Sequence, residues 1–318
     1  MAYLLRFLMM SSVVLMLKCA VASGDREGGT IGAPDDEKGH SQEYIVVTEF
    51  RGCVLLLVCI AILAVDFDLF PYEMVKTDRQ GYSLMDLGVG TFIIANALVA
   101  PQTQETHKSS WKLILSDVGD TAVLVILGVS RFVSAYLTEY HVSESEYGKH
   151  WNFFCSLAFV KIFGRLLAAV FHPLVLPYVG LLIGCLYEAI LQFGLYDFVL
   201  DSPSSKTFDS AVLQFLFDNR SGLSSSVGFL AMFLMWIYVG RLFRTEKRSA
   251  SDITQLARHL LQRSFFVLLI TFVMRVPSRR LANLSYIFWL VSSGISHAHL
   301  LCKLVSSIQM HTTDVVVS

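Results

Sequence analysis

Charged side chains are few. Only 16% of the 318 residues are Asp, Glu, Lys or Arg, whereas soluble domains carry about 25%. Together with an apolar fraction of 54%, the shortage argues against a water-wrapped core and for a lipid solvent. The net charge of −1 leaves no basic excess for a nucleic-acid partner. The six cysteines are scattered, mostly inside apolar runs, and no C-x-x-C pair occurs. That spacing speaks against a disulfide framework and a zinc site. No metal or tightly held cofactor is indicated, no internal repeat stands out, and no Ser-His-Asp pattern is visible.

What the chain does have is apolar segments. A helical span needs roughly 20 largely apolar residues. Eight candidates follow residue 45, at about 51–66, 84–101, 114–136, 151–171, 174–198, 223–243, 262–276 and 282–303. Residues 1–22, with Arg6 near the start and Ala20-Val21-Ala22 at the end, read as a signal peptide or signal-anchor helix. Residues 23–45 form a polar linker rich in Gly, Asp, Glu and Ser. The expected fold is all-α, a polytopic transmembrane bundle of about 8–9 spans over 46–303, with a polar chamber inside and a C-terminal tail over 304–318.

Basic loops stay cytoplasmic. The clearest is 241–263, with Arg241, Arg244, Lys247, Arg248, Arg258 and Arg263 against Glu246 and Asp252. Counting from it puts loop 102–113 on the cytoplasmic side and loops 67–83, 137–150 and 199–221 on the opposite, lumenal side. Arg279 and Arg280 then also face the lumen, against the rule.

Ionisable groups in or beside spans are expensive and call for a partner or a task. Asp66 ends the first apolar segment, and Lys76 follows ten residues later. On a continuous helix they would stand about 80° apart in azimuth and about 15 Å apart along the axis. Pro71 between them makes a continuous helix improbable. A foldback along the membrane surface would bring Lys76 towards Asp66, but from spacing alone plain interfacial charges explain the pattern slightly better. Asp86 opens the next segment, where its carboxylate would meet unpaired backbone donors at a helix N-terminus. Gly88 and Gly90 permit close helix packing. His150, Trp151 and Asn152 suit either a polar headgroup or an interfacial anchor. Lys161, Arg165 and His172 share roughly one helical face and would bind a phosphate or pair with acids such as Glu188. The sequons at Asn219 and Asn283 lie too close to spans for glycans and read as packing or binding residues.

The ordered blocks "TEFRG…ILAVDF" (48–67), "GYSLMDLGVGTF" (81–92), "EYGKHWNFF" (146–154), "NRSGLSSSVGFLA" (219–231) and "SRRLANLSYIFWLV" (278–291) resemble a known family. It is that of the inositol acyltransferases of glycosylphosphatidylinositol (GPI)-anchor synthesis, which includes the fungal wall-transfer proteins and the animal phosphatidylinositol-glycan class W proteins. The resemblance implies a multi-pass enzyme of the endoplasmic-reticulum membrane. It would transfer a fatty acyl group, typically palmitoyl, from acyl-CoA to the inositol ring of glucosaminyl-phosphatidylinositol on the lumenal side. Acyl-CoA is then a substrate, and membrane lipids are the other partners. The family's aspartate and lysine match Asp66 and Lys76, which implies a general base and a charge that holds it ionised or stabilises the oxyanion. Asp86, His150, Trp151, Asn152, Asn219, Arg220, Arg279, Arg280 and Asn283 become candidates for binding substrate.

The match has departures. Tyr72 and Glu73 follow Pro71 where the family usually carries basic residues. Ser221 replaces its usual acid. Lys161 and Arg165 are not expected in that span, and the family has about thirteen spans and a longer chain. The competing readings are a polytopic lipid transporter or lipid-handling protein, and a truncated, inactive relative.

Overall fold

A computed structural model of the chain describes residues 35–68, 70–100, 111–138, 146–201, 207–243 and 250–317, and all regular structure among them is helical. The proposed signal segment 1–22, most of the linker, loop residues 102–110 and the basic residues within 244–249 lie outside the described residues.

Each of the eight apolar segments is carried by a helix: α1 (Asp35–Ala64), α2 (Leu87–Leu98), α3 (Trp111–Leu137), α4 (Phe153–Val170), α5 (Leu176–Ile190), α8 (Arg220–Leu242), α9 (Ala250–Val273) and α10 (Leu284–Val317). After α5, a π-helical turn at Leu191–Leu195 leads into the short α6 (Tyr196–Asp201), and α7 (Ala211–Asp218) precedes α8. Among the described residues, four stretches are long and apolar enough to cross a membrane: Val47–Ala64, Phe153–Val170, Leu176–Asp201 and Arg220–Leu242. Leu87–Leu98 and Thr121–Ser134 are apolar but shorter.

The ends of these helices follow from local chemistry. Asn152 caps α4 by accepting from the Cys155 N–H, which satisfies a donor that the first turn leaves free. Pro177 sits in the first turn of α5, where its missing N–H costs nothing. Gly194, at φ +113°, breaks the regular run beyond α5, a backbone conformation that glycine adopts without a Cβ clash.

The core is built around α8, which packs against α2, α4, α5 and α10, while α9 lies on α10, α3 on α4, and α1 on α2 and α10. In its apolar stretch α8 is 72% buried, against 22% for Val47–Ala64. Phe229, Met232, Phe233, Leu234, Trp236 and Ile237 fill the centre. The first half of α8 is rich in small residues (Gly222, Ser224, Ser225, Ser226, Gly228), which lets neighbouring backbone approach closely. A Cβ on Gly228 would collide with the Ala282 carbonyl and methyl group. The outward faces of α1, α3 and α5 display Leu56, Ile60, Leu63, Ile126, Val129, Leu182 and Leu186. So many exposed large apolar side chains suit hydrocarbon rather than water. Cys53, Cys59, Cys155 and Cys185 form no disulfide among the described residues.

Candidate active site at one end of the bundle

The loop 65–86 between α1 and α2 and the segments that enter α4, α8 and α10 meet at one end of the bundle. Hydrogen bonds tie them together. Gly81 N–H donates to the Pro277 carbonyl (2.9 Å), and Gly222 N–H to that of Tyr147 (2.7 Å). Ser278 Oγ donates to the Arg79 carbonyl (2.6 Å), and Arg79 pairs with Asp201 at 2.7 Å. Gly148, at φ +122°, lies against the backbone of Asp218 and Asn219, where a Cβ would come within 2.6 Å of Asn219 Cα.

A chain of four charges runs through this end. Arg279 Nε lies 3.0 Å from Asp86 Oδ1, with the residues only 7% and 1% exposed. The contact is one of charge and distance, since the Nε–H is not aligned as a hydrogen bond. Asp86 also accepts from Thr77 Oγ1 (2.6 Å) and Thr77 N–H (3.3 Å), and its backbone carbonyl accepts from Tyr286 (2.7 Å). Arg279 Nη2 reaches Glu146 Oε1 at 4.0 Å, and the same oxygen binds Lys76 Nζ at 2.8 Å.

The electrostatics favour the charged forms of Glu146 and Arg279. Burial alone would raise the Glu146 carboxyl, but the Lys76 hydrogen bond and the charges of Arg279, Lys76 and Arg131 hold it below its ordinary value. Burial likewise opposes the Arg279 cation, yet Tyr147, Glu146 and Asp86 lift it above its usual range. Burial pushes the Tyr147 hydroxyl up to about 12.

The sequence-derived candidates fall into distinct places. Asp66 stands exposed in the turn that ends α1, and among the described residues it makes no side-chain ion pair. Lys76 lies midway along the same loop and is paired with Glu146. Asp86 occupies the expected helix N-terminus but makes no capping bond there; the buried Arg279 and the Thr77 hydroxyl and N–H claim its carboxylate, which corrects the expectation of donors from its own helix.

The asparagines are occupied by the protein's own backbone. Asn219 Oδ1 accepts from His150 N–H and Trp151 N–H, each at 2.8 Å. Asn152 Nδ2 donates to the Gly128 carbonyl (2.8 Å). Asn283 Oδ1 accepts from Ser278 N–H (2.9 Å) and Tyr286 N–H (3.2 Å). The His150 ring contacts Phe132 edge-on and stacks on Phe215, while Trp151 Nε1 donates to Ser156 Oγ (2.8 Å). Arg220 stacks over the Phe217 ring at 4.3 Å and donates to its carbonyl. Arg280 is partly exposed. Glu188 accepts from Leu284 N–H (3.0 Å), capping α10 from a neighbouring helix.

Sequence reasoning missed Glu146 and Thr77. Glu146 opens the "EYGKHWNFF" block, and that position was the available signal. Nothing in the local pattern of Thr77 marks it as a ligand of Asp86.

With this geometry in view, the comparisons with known proteins are informative. The GWT1 family profile matches residues 1–316. The GPI-anchored wall transfer protein 1 of Eremothecium gossypii is 31% identical over 86% of this chain and 63% of its own length. Its namesake in Kluyveromyces lactis is 32% identical over 89% and 62%. An uncharacterized Arabidopsis thaliana protein is 32% identical over 81% and 58%. The chain therefore spans about three fifths of the length of these relatives. Since the profile covers nearly the whole chain, through every block that forms the charged end of the bundle, the protein belongs to the GWT1 family.

Proposed function

We propose that the chain is an O-acyltransferase of GPI-anchor biosynthesis, transferring a fatty acyl group, palmitoyl in the simplest case, from acyl-CoA to the inositol ring of glucosaminyl-phosphatidylinositol. Its place is the endoplasmic-reticulum membrane, with the charged end facing the lumen and the shorter apolar helices crossing beside the four long ones. The observation that carries the reading is the run Lys76–Glu146–Arg279–Asp86, built from the family's blocks around the loop that Asp66 opens.

In this reading Asp66 is the general base. A ring hydroxyl is a poor nucleophile at neutral pH. The Asp66 carboxylate takes its proton as the oxygen attacks the thioester carbonyl, the new C–O bond forms and the C–S bond breaks. The proton then leaves with the CoA thiolate. Lys76 has three N–H donors. One is held by Glu146 at 2.8 Å, and the others serve the developing oxyanion or the Asp66 carboxylate. Glu146 and Asp86 act as positioning residues, because each neutralises Arg279 and thereby orders the loop bearing Lys76. Asn152, Asn219 and Asn283 hold the surrounding turns, and His150, Trp151, Arg220 and Arg280 border the substrate.

The test is expression in cells lacking the endogenous acyltransferase, with microsomes assayed for acylated glucosaminyl-phosphatidylinositol. Acylation by the unaltered chain, lost in Asp66→Asn with unchanged thermal stability, is the expected result. A stably folded chain that never acylates the lipid would overturn the proposal.

A further inference from the structure

Beside the charged end, α5, the π-helical turn, α7 and α8 border an open groove of about 430 Å³, within the range of small-ligand sites. Its walls are apolar, with Leu186, Ile190, Leu195, Leu216 and Leu223 among them, and Arg220 lines it where α8 begins. The break at Gly194 gives it shape, since the chain leaves α5 along a displaced path there. Tyr187, also in its wall, bonds to Ser224 Oγ (2.7 Å) and to the Leu281 carbonyl (2.6 Å). That bond links the groove to the turn carrying Arg280.

Arg280 lies outside the groove's lining, one residue before the Leu281 carbonyl that Tyr187 binds, and has features of an anion ligand. Its Nε is buried without a hydrogen-bond partner among the described residues. Burial, followed by the cations of Arg220, Arg279 and Arg79, depresses its guanidinium from the ordinary value, with Asp78 opposing. The field there is therefore net positive, the condition in which an added anion is stabilised. Guanidinium groups suit phosphate oxygens by shape as well as charge.

We propose that this groove receives one hydrocarbon chain of a glycerophospholipid, its phosphodiester held by Arg280 and Arg220. The proximity of grease to charge selects the occupant. In a glycerophospholipid the tails start a few bonds from the phosphate, whereas in acyl-CoA the pantetheine arm separates acyl chain from diphosphate. A groove that is apolar up to Arg220 fits the former. The inference rests on the acyltransferase reading only in making this lipid the acceptor, because binding itself needs no turnover.

Photolabelling of the full chain in microsomes tests it, using phosphatidylinositol with a diazirine in one acyl chain. Matched probes are a diazirine diacylglycerol and a diazirine acyl-CoA. The phosphatidylinositol probe is expected to label peptides containing Ile190 and Leu223. Arg280→Gln should cut that labelling about tenfold, as loss of one charge-assisted contact does. Arg280→Lys should retain part of it, and Leu223→Trp should block it. Equal labelling by diacylglycerol that ignores Arg280→Gln would reduce the groove to a lipid-facing surface and overturn the proposal. Preferential labelling by acyl-CoA would assign it to the donor and overturn it as well. An inactive chain that still labels in the groove would refute only the acyltransferase reading. An active chain that labels elsewhere would refute only this inference.

Discussion

Asp86 and Arg279 form a buried ion pair, 3.0 Å from Oδ1 to Nε, between the start of α2 and the turn that leads into α10. Removing one partner of such a pair strands the other charge in a low-dielectric site, which costs about 3–5 kcal/mol. Asp86→Asn and Arg279→Met should each lower the thermal midpoint strongly in detergent. The double variant should recover part of the loss. Additive losses in the cycle would mean that the two residues do not act as a pair.

Lys76 and Glu146 provide a contrast. Their side chains are 43% and 30% exposed, so solvent screens the pair and its contribution to stability is about 0–1 kcal/mol. Lys76→Ala should therefore leave the thermal midpoint nearly unchanged while lowering acyl transfer. If Lys76→Ala unfolds the protein, the residue is structural rather than catalytic.

Asp66 is exposed and makes no side-chain ion pair among the described residues, so Asp66→Asn should be silent in stability. As a general base its loss should cost about 10²–10⁴-fold in rate. Single-turnover acyl transfer in microsomes checks this, and wild-type rates in Asp66→Asn would remove the residue from the mechanism.

Glu146 has a folded-state pKa below its ordinary value. Its contribution to stability is present above the unfolded carboxylate pKa and is lost as pH falls through the lower folded value. Tyr147 runs the other way. Raised from 10.0 to about 12, it contributes below pH 10 and loses that contribution as pH climbs towards 12. Stability curves of Glu146→Gln and Tyr147→Phe should accordingly flatten at the acid and alkaline ends respectively. A Glu146→Gln curve parallel to wild type below pH 4.5 would contradict the Glu146 assignment.

Asn219 is fully buried and accepts from two successive backbone N–H groups, those of His150 and Trp151. Asn219→Ala leaves both without a partner, at about 1–3 kcal/mol each. Amide exchange at His150 and Trp151 should quicken well before that of α8. Unchanged protection there would show that other acceptors replace Asn219.

Hydropathy alone located the eight helical segments, because burial in lipid is a property of consecutive residues. The blocks around Asp66, Asp86, His150, Asn219 and Arg279 were also legible as sites of unusual polarity. Their roles were not. Asn152, Asn219 and Asn283 look alike in sequence to headgroup ligands, yet in the structure each binds backbone from neighbouring turns. A polar side chain in an apolar chain signals that it needs a partner, but not which one.

The sequence by itself determined an all-helical, lipid-compatible chain, its apolar segments, and the blocks by which it resembles its family. Tertiary structure decided which charges meet. Lys76 is joined to Glu146 rather than to Asp66, and Asp86 to Arg279 rather than to its own helix. Spacing along the chain governs neighbours within one helix. Pairing across the bundle depends on how loops 65–86, 146–152 and 274–283 converge, and that is settled by the packing of α2, α4 and α10 around α8.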